Sequence, residues 1–257
     1  MNQAKTYLGA LNKQLNPAER LIMKLLVILL CLVFERYALQ LDALRRKQWF
    51  HPWFLFLKTR LTVLHPALML AVCVLPMVLV IGLFIHLFGV MLGLVLQIVV
   101  LFFCLGPDAI YPGASKKSTA TECFESALRQ WFAVLFWYVV LGLMGAVLYR
   151  LLELASREAE LNPLASKIMG YLDWIPARLT GVLYLLVGHF QQGYSFALDT
   201  WWSGTENNTA FLTGCGLKAT QEKGAEEVSV KAAEQLVWHA MILCLVGLAC
   251  LTLAARW

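Results

Sequence analysis

The feature that most constrains the fold is a long apolar stretch, residues 66–105, which contains no Asp, Glu, Lys or Arg. A hydrophobic segment of about 18 or more residues with few charges is a candidate membrane helix, and this one is long enough for two. It is interrupted at 86–89, and this pattern predicts two spans, 66–88 and 89–105, joined in a tight hairpin. Pro76 lies inside the first span, where membrane helices tolerate proline.

The composition places the whole chain in the same class. It is 60% hydrophobic and only 14% charged, whereas a soluble domain carries about 25% charged residues. Segment 41–64 mixes charges with Trp and Phe, as amphipathic segments at the headgroup level do. We therefore expect an all-α, polytopic helical membrane protein with about five or six membrane helices and amphipathic interfacial segments. The remaining candidate spans are 21–39, 131–151, 174–190 and 237–255.

The candidate span 174–190 decides both the number of membrane helices and the side of the membrane on which the polar segment 191–235 lies. Residues 174–190 would cover about 25 Å as a helix, which is short for a membrane span. The alternative is a re-entrant or interfacial helix, and residues 191–235 would then change sides. With six spans, the loops of one side hold 11 Lys and Arg and those of the other side hold 7. The first side is therefore expected to be cytoplasmic.

The charge and cysteine patterns argue against two other classes of protein. The net charge of +5 is not a nucleic-acid signal, because excess Lys and Arg in a membrane protein first belongs to the positive-inside pattern. We therefore expect no nucleic-acid partner. The chain has seven Cys but no Cys-x-x-Cys pair, so that neither a zinc site nor a disulfide framework is indicated.

The strongest candidate for a functional site lies around Asp173. This residue is a good N-cap and Pro176 is tolerated only in a first helical turn, so that a helix is predicted to start here. Arg178 would then lie inside an apolar run, 179–188, where a lipid-facing Arg would cost roughly 2.5 kcal/mol or more. We expect it to face protein, water or headgroups, with His189 on nearly the same helix face. Two interpretations stay open, a snorkelling Arg at an interfacial helix start and a buried acidic–basic site.

Four segments of the chain resemble the AmpE family of bacterial inner-membrane proteins, which is related to the CbiB/CobD adenosylcobinamide-phosphate synthases. The most specific is 172–180, which is similar to a motif shared by both branches. An apolar run closed by Glu35 and Arg36 resembles the amino end of the family. Segment 23–36 resembles the amino end of the family, segment 132–150 its central helix, and segment 202–253 its carboxyl end.

The resemblance implies an organisation and a role. Residues 23–257 would form a single AmpE/CbiB-like membrane domain, and residues 1–22 a polar N-terminal extension, upstream of the true start if that start is Met23. The protein would be a multi-pass, non-catalytic protein of the bacterial inner (plasma) membrane, implicated in β-lactamase induction and cell-wall-recycling signalling. Its expected partners are the lipid bilayer and either a small-molecule ligand or a membrane protein.

A polar pocket at the membrane face is the expected ligand site. Arg178 suits a carboxylate or a phosphate, because its planar fork binds such groups bidentately, and Trp174 and Tyr184 would form aromatic walls. The ligand could then be a nucleotide or a cell-wall fragment. The candidate ligand-binding residues are Asp173, Trp174, Pro176, Arg178, Tyr184, Glu35, Arg36, His51 and Glu125. A membrane-surface anchor would use the same stretch, and the sequence does not separate the two.

The alternative is an enzyme, an Mg-ATP-dependent adenosylcobinamide-phosphate-synthase-like protein. Asp173 and Glu125 would hold Mg²⁺, and Arg178 would hold phosphate. The synthase branch carries an Arg-Asp-Thr-type motif that residues 106–129 lack, and Trp238-His239 stands where an Asp-Arg pair is usual. Oxygen-ligated metal needs several converging carboxylates, of which this chain has few, so that the sequence leans against an enzyme.

Overall fold

The structure is a computed structural model, and it describes residues 17–37, 50–60, 65–87, 90–105, 119–220 and 228–254. All regular elements within these ranges are helical, as the all-α prediction requires. The chain divides into two compact units. Unit 1 comprises Met1–Leu105, Trp137–Ala165 and Gly247–Trp257, and unit 2 comprises Gly106–Phe136 and Ser166–Val246.

Unit 1 is built from apolar helices that pack on one another. Within it, α1 packs on α4, and α3 and α4 pack on each other and on α7. The helix pair predicted within 66–105 is confirmed as α3 and α4, with Pro76 inside α3. Its helices are α1 (Pro17–Tyr37), α2 (Phe50–Arg60), α3 (Pro66–Leu87), α4 (Val90–Cys104), the larger part of α6 (Ala133–Leu141), and α7 (Leu143–Ala155).

The candidate span 131–151 is not one straight helix, because the helix is broken at Gly142. This residue has a φ of 73°, a left-handed conformation that glycine adopts at little cost. It ends α6 and serves as the N-cap position of α7. A π-helical turn, Leu128–Phe132, precedes α6 and is a second departure from a straight helix.

Unit 2 holds the elements of the candidate site. Its first helix begins with a regular N-cap, in which the Thr119 side chain accepts a hydrogen bond of 3.2 Å from the Glu122 backbone N–H. Within the unit, α10 packs on both α9 and α5. Its helices are α5 (Ala120–Ala127), most of α8 (Asn162–Val187), α9 (Phe190–Thr200), a 3₁₀ turn (Thr205–Asn207), α10 (Asn208–Thr220) and the larger part of α11 (Val230–Ala254).

The predicted helix start at Asp173 is wrong, because α8 begins at Asn162 and continues past that position to Val187. Pro176 therefore lies in a helix interior, where its missing N–H leaves the Leu172 carbonyl without an i→i−4 bond. The N-cap signal of Asp173 was misleading because tertiary packing stabilises the preceding turns. His189 lies beyond the end of α8, so that it does not share a helix face with Arg178.

One helix among the described residues, Val230–Ala254, is long and apolar enough to cross a membrane by length and composition. Three shorter apolar helical runs accompany it, namely Leu21–Phe34, Ala67–Leu83 and Leu94–Cys104. The number of membrane helices and the orientation of the chain therefore stay predictions. So does the division into a 1–22 extension and a single domain, since residues 1–16 lie outside the described ranges.

Candidate functional site

Helix α8 presents three distinct faces, because residues four and seven positions apart lie on one side of an α-helix. One face is turned to the segment that follows α9, a second is buried and carries polar groups, and a third is exposed and apolar. The face turned to the segment after α9 is formed by Trp174, Arg178, Gly181 and Leu185. The buried polar face is formed by Asp173, Ala177, Thr180 and Tyr184. The exposed apolar face is formed by Tyr171, Ile175, Leu179 and Leu186.

The guanidinium of Arg178 is buried and hydrogen-bonded to the segment between α9 and α10. The residue is only 2% exposed. Its Nε donates to the Trp201 carbonyl at 3.3 Å, and its Nη2 donates to the carbonyl and the hydroxyl of Ser203 at 2.8 and 3.0 Å. Its Nη1 donates to Oδ1 of Asn208. Arg178 was expected to face protein, water or headgroups, and the structure shows that it faces protein.

Two aromatic rings face the same guanidinium. The Arg178 Cζ lies 4.9 Å from the ring centroid of Trp174 and 4.9 Å from that of Phe211. The Trp174 indole N–H also donates to the Ser203 carbonyl at 3.4 Å. The partners of the charge in these contacts are amide and hydroxyl oxygens and ring faces, which a planar guanidinium can engage together. We call Trp174, Arg178, Trp201, Ser203, Asn208 and Phe211 the Arg178 cluster.

Asn208 provides a second hydrogen bond between the cluster and α8, in addition to the bonds of Arg178. Its side chain is buried, and its Nδ2 donates to the Gly170 carbonyl at 2.7 Å while its Oδ1 accepts from Arg178. A Cβ added at Gly170 would lie 3.5 Å from the Thr205 carbonyl, which shows how closely the 3₁₀ turn approaches α8. The segment 201–208 is therefore held at two levels of one helix, two turns apart.

The buried face of α8 is separate from this cluster. Asp173 is five residues before Arg178, which places the two side chains about 140° apart on a continuous helix. Tyr184 is fully buried and packs against Phe124 and Phe132, with ring centroids 5.1 and 6.0 Å away. Its hydroxyl has no hydrogen-bond partner within the described residues. The predicted acidic–basic pocket therefore resolves into two faces of one helix.

The remaining candidate residues lie elsewhere. Pro176 is buried within α8, and Glu125 is half-buried on α5 of the same unit. His51 belongs to α2 in unit 1, where its Nδ1 lies 3.1 Å from both carboxylate oxygens of Glu158. Glu35 and Arg36 belong to α1, but their side chains are outside what the structure describes. Ligand binding by any of these residues stays a prediction.

Sequence reasoning missed four of the six residues of the Arg178 cluster. Trp201, Ser203, Asn208 and Phe211 come from a segment that is polar overall, and they lie 23 to 33 positions after Arg178. The one usable signal is Asn208, because an Asn that opens an amphipathic segment is a common helix-start residue. It begins α10, but its side chain binds α8 as well.

The residues proposed for an Mg-ATP site do not fit that cofactor. Among the residues that the structure describes, no group of three or more His, Cys, Asp or Glu side chains could hold a metal ion. The Arg178 N–H groups are directed at Trp201, Ser203 and Asn208, so that a phosphate would have to displace these acceptors.

The buried thiol beside the cluster is not a nucleophile. Burial raises the pKa of the Cys215 thiol to about 12, although the charges of Arg178 and Lys218 act in the opposite direction. A thiol with such a pKa stays protonated at neutral pH, and only the thiolate attacks or binds metal. Cys215 therefore serves the packing of α10, as buried free cysteines commonly do.

The fold and the site define a helical protein with a candidate membrane span and a buried arginine cluster that joins one long helix to a distant segment. The chain belongs to the AmpE family: the family model described as "Regulatory signalling modulator protein AmpE" matches residues 124–254. The matched region includes every residue of the Arg178 cluster. The resemblance inferred from sequence is thus confirmed.

Two curated relatives point to the neighbouring branch. The chain is similar to the cobalamin biosynthesis protein CobD of Chromobacterium violaceum, with 35% identity over 98 residues, covering 34% of this chain and 31% of that protein. It is also similar to CobD of Stutzerimonas stutzeri, with 31% identity over 112 residues, covering 38% of this chain and 36% of that protein. The chain spans about a third of the length of these relatives. No solved structure matches.

Proposed function

We propose that this protein is a non-catalytic, multi-pass inner-membrane protein that acts in signalling for β-lactamase induction and cell-wall recycling. The observation that carries the proposal is the match of 124–254 to a family described as a regulatory signalling modulator. The chemistry of the Arg178 cluster supports it, because the groups there are arranged for binding and for holding a segment. The apolar helix Val230–Ala254 supports the membrane location.

The ligand would carry a carboxylate or a phosphate and would compete for Arg178. The internal acceptors that hold this guanidinium are neutral oxygens of Trp201, Ser203 and Asn208. An anionic oxygen accepts a stronger hydrogen bond from a guanidinium than a neutral oxygen does. A bound anion would therefore displace the segment 201–208 from α8, and this displacement would be the signal. Cell-wall muropeptides and nucleotides both present such oxygens.

The functional test is a β-lactamase induction assay in a strain that lacks the gene and carries it on a plasmid. We expect the wild type to restore induction and Arg178→Ala to fail, with the variant confirmed in the membrane fraction. Arg129→Ala is the matched control, because Arg129 is an exposed arginine of the same unit and should behave as the wild type. Full function of Arg178→Ala, at normal expression, would refute the proposed site.

A binding measurement separates a ligand site from a purely structural cluster. The purified protein in detergent is titrated with a muropeptide and, separately, with Mg-ATP, while its thermal unfolding is followed. We expect a saturable rise of the Tm with one of these probes. Ser203→Ala removes one internal competitor of the ligand, so that the apparent affinity should increase roughly threefold. A structural cluster would give no saturable shift in either form.

The CobD relatives favour one other candidate, an enzyme of the adenosylcobinamide-phosphate-synthase type. Its test is complementation of a bacterial mutant that lacks this synthase. Growth that depends on the synthase would establish the activity and displace the signalling proposal. Repeated failure, with the protein detected in the membrane, would eliminate the enzyme.

A further inference from the structure

One large side chain in unit 2 is exposed in a way that folded proteins rarely allow. Trp202 is 82% exposed, whereas tryptophan is highly buried on average. The residues on both sides of it are held in place, because the carbonyls of Trp201 and Ser203 accept hydrogen bonds from buried Arg178. The Arg178 cluster thus fixes the backbone of a segment whose indole projects outward.

A row of exposed apolar side chains runs along α9, and exposed Trp202 follows two residues beyond the end of the helix. Phe190, Tyr194 and Leu198 follow one another at intervals of four residues and are 43% to 55% exposed, and Trp202 comes four positions later. The rings of Phe190 and Tyr194 also contact each other, with centroids 5.1 Å apart. We call Phe190, Tyr194, Leu198 and Trp202 the α9 stripe.

The other sides of α9 have different environments. Gly193 and Ala197 are buried on the side where the helix packs against α10. Gln191, Ser195 and Asp199 form an exposed polar row, about 100° from the corresponding members of the α9 stripe. The helix α9 therefore has one side that packs on protein, one polar side that is exposed, and the apolar α9 stripe between them. That division is typical of a helix lying in the plane of a membrane surface.

We infer that α9 lies in the interface of the lipid bilayer, with the α9 stripe in the boundary between headgroups and acyl chains and with Trp202 as its anchor. With 11 residues, α9 is about 16 Å long, too short to cross a bilayer. Trp and Tyr favour the headgroup level. The preceding helix also exposes an apolar row, formed by Tyr171, Ile175, Leu179 and Leu186.

The charges on α9 specify how it would bind. The helix contains Asp199 and no Lys or Arg, so that attraction to anionic lipid cannot hold it. Insertion of the α9 stripe would hold it instead, and binding would be independent of the headgroup charge. This inference rests on the membrane location given under the proposed function but not on the signalling role. It adds that the Arg178 cluster lies at the membrane surface, one residue from the anchor.

Depth-dependent quenching of Trp202 fluorescence tests the inference. The full chain is placed in single-copy phosphatidylcholine nanodiscs whose lipids carry a nitroxide near the glycerol backbone or at the acyl-chain end. The chain has nine Trp, so that the emission of Trp202 is obtained as wild type minus Trp202→Phe. We expect the shallow nitroxide to quench it about threefold more strongly than the deep one. Stronger quenching by the deep nitroxide would overturn the interfacial placement.

Control variants separate lipid contact from other causes. Trp201→Phe isolates a half-buried ring that packs on Phe211 with a centroid distance of 6.0 Å, and its emission should be quenched less. Leu198→Asp places a charge in the α9 stripe and should lower the quenching of Trp202 several-fold. Ser195→Asp adds the same charge on the polar row and should leave it unchanged. Equal effects of the two Asp variants would contradict the inference.

Two further outcomes identify a different occupant of the α9 stripe. Iodide quenching of Trp202 without any nitroxide quenching would mean that the indole faces water, and it would refute lipid contact. Protection from iodide that appears only in two-copy discs would mean that a second copy covers it.

Strengthening of the nitroxide effect by phosphatidylglycerol would refute insertion that is independent of charge. Failure of the induction assay with normal quenching would refute the signalling role alone.

Discussion

Two buried arginines, one in each unit, are stabilised in different ways. Arg150 of α7 is 4% exposed, and its Nη1 lies 3.1 Å from Oε2 of Glu153, three residues later. The same carboxylate accepts from Nε of Arg157 at 2.9 Å, four residues after Glu153. Arg178 of α8 instead donates to neutral acceptors 23 to 30 positions away. The first arrangement links neighbours on or just beyond one helix, and the second joins a helix to a remote segment.

The difference shows that burial of an arginine does not define its role. At Arg150 a full counter-charge offsets desolvation, and the ion pair with Glu153 connects residues that α7 already holds together. At Arg178 amide dipoles and ring faces together offset the desolvation of the guanidinium. The conformation of 201–208 therefore depends on this guanidinium. A change at Arg178 should therefore alter a distant segment, whereas loss of the ion pair between Arg150 and Glu153 should act on α7 itself.

The largest expected effect is that of removing the Arg178 charge. Arg178→Met keeps an unbranched aliphatic stem but leaves Asn208 Oδ1 and the Trp201 carbonyl without their donor, and the Ser203 carbonyl with only its 3.4 Å bond from Trp174. We expect the free energy of unfolding to fall by about 4 kcal/mol, because each orphaned buried acceptor costs about 1–3 kcal/mol. Denaturant titration in detergent, followed by circular dichroism, measures it. Arg129→Met is the exposed control, and a loss no larger than the control's would contradict the structure.

Asn208→Ala is expected to have the next largest effect. The change removes the acceptor for Arg178 and the donor to the Gly170 carbonyl, at 2.7 Å, together. We expect a loss of about 3 kcal/mol, since one of the two bonds involves a charged group. A double-mutant cycle with Arg178→Met should show coupling of about 1–2 kcal/mol, because the two residues share a contact. Additive losses would mean that the contact contributes nothing.

The sequence was sufficient for the parts of the fold that rest on uninterrupted apolar runs. The helices α1, α3, α4 and α11 follow from such runs, because periodicity is not needed where nearly every residue is apolar. It was insufficient for short helices that mix polar and apolar residues, as α9 and α10 do. It was misleading in α8, where local N-cap and proline signals gave way to packing.

The candidate site could be predicted in one respect and not in another. The cost of exposing Arg178 to lipid predicts that this residue faces protein, water or headgroups, and the structure shows it buried in protein. Its partners could not be predicted, since Ser203 and Asn208 reach it only after two intervening helix ends. Asp173 and Arg178 lie on different faces of α8, because a spacing of five residues separates them by about 140° on a continuous helix.

Replacing each buried arginine by lysine tests the difference between the two sites with a smaller expected effect. Lysine keeps the charge but cannot donate in three fixed directions. Arg178→Lys should therefore lose about 2 kcal/mol, while Arg150→Lys should lose about 1 kcal/mol or less, because a point charge can still pair with Glu153. The same denaturant titration compares them. Equal losses would remove the distinction between a directional cluster and an ion pair.

The smallest expected effect belongs to Arg157, which donates to Glu153 from a largely exposed position. Its side chain is 61% exposed, so that solvent screens its charge, whereas Glu153 is buried and still faces Arg150. Arg157→Ala should therefore lower the free energy of unfolding by only about 0.5 kcal/mol. Raising the salt concentration should abolish the difference from the wild type, because screening acts on exposed pairs first. A loss as large as that of Arg150→Lys, persisting in high salt, would instead make the three residues one cooperative network and weaken the contrast with Arg178.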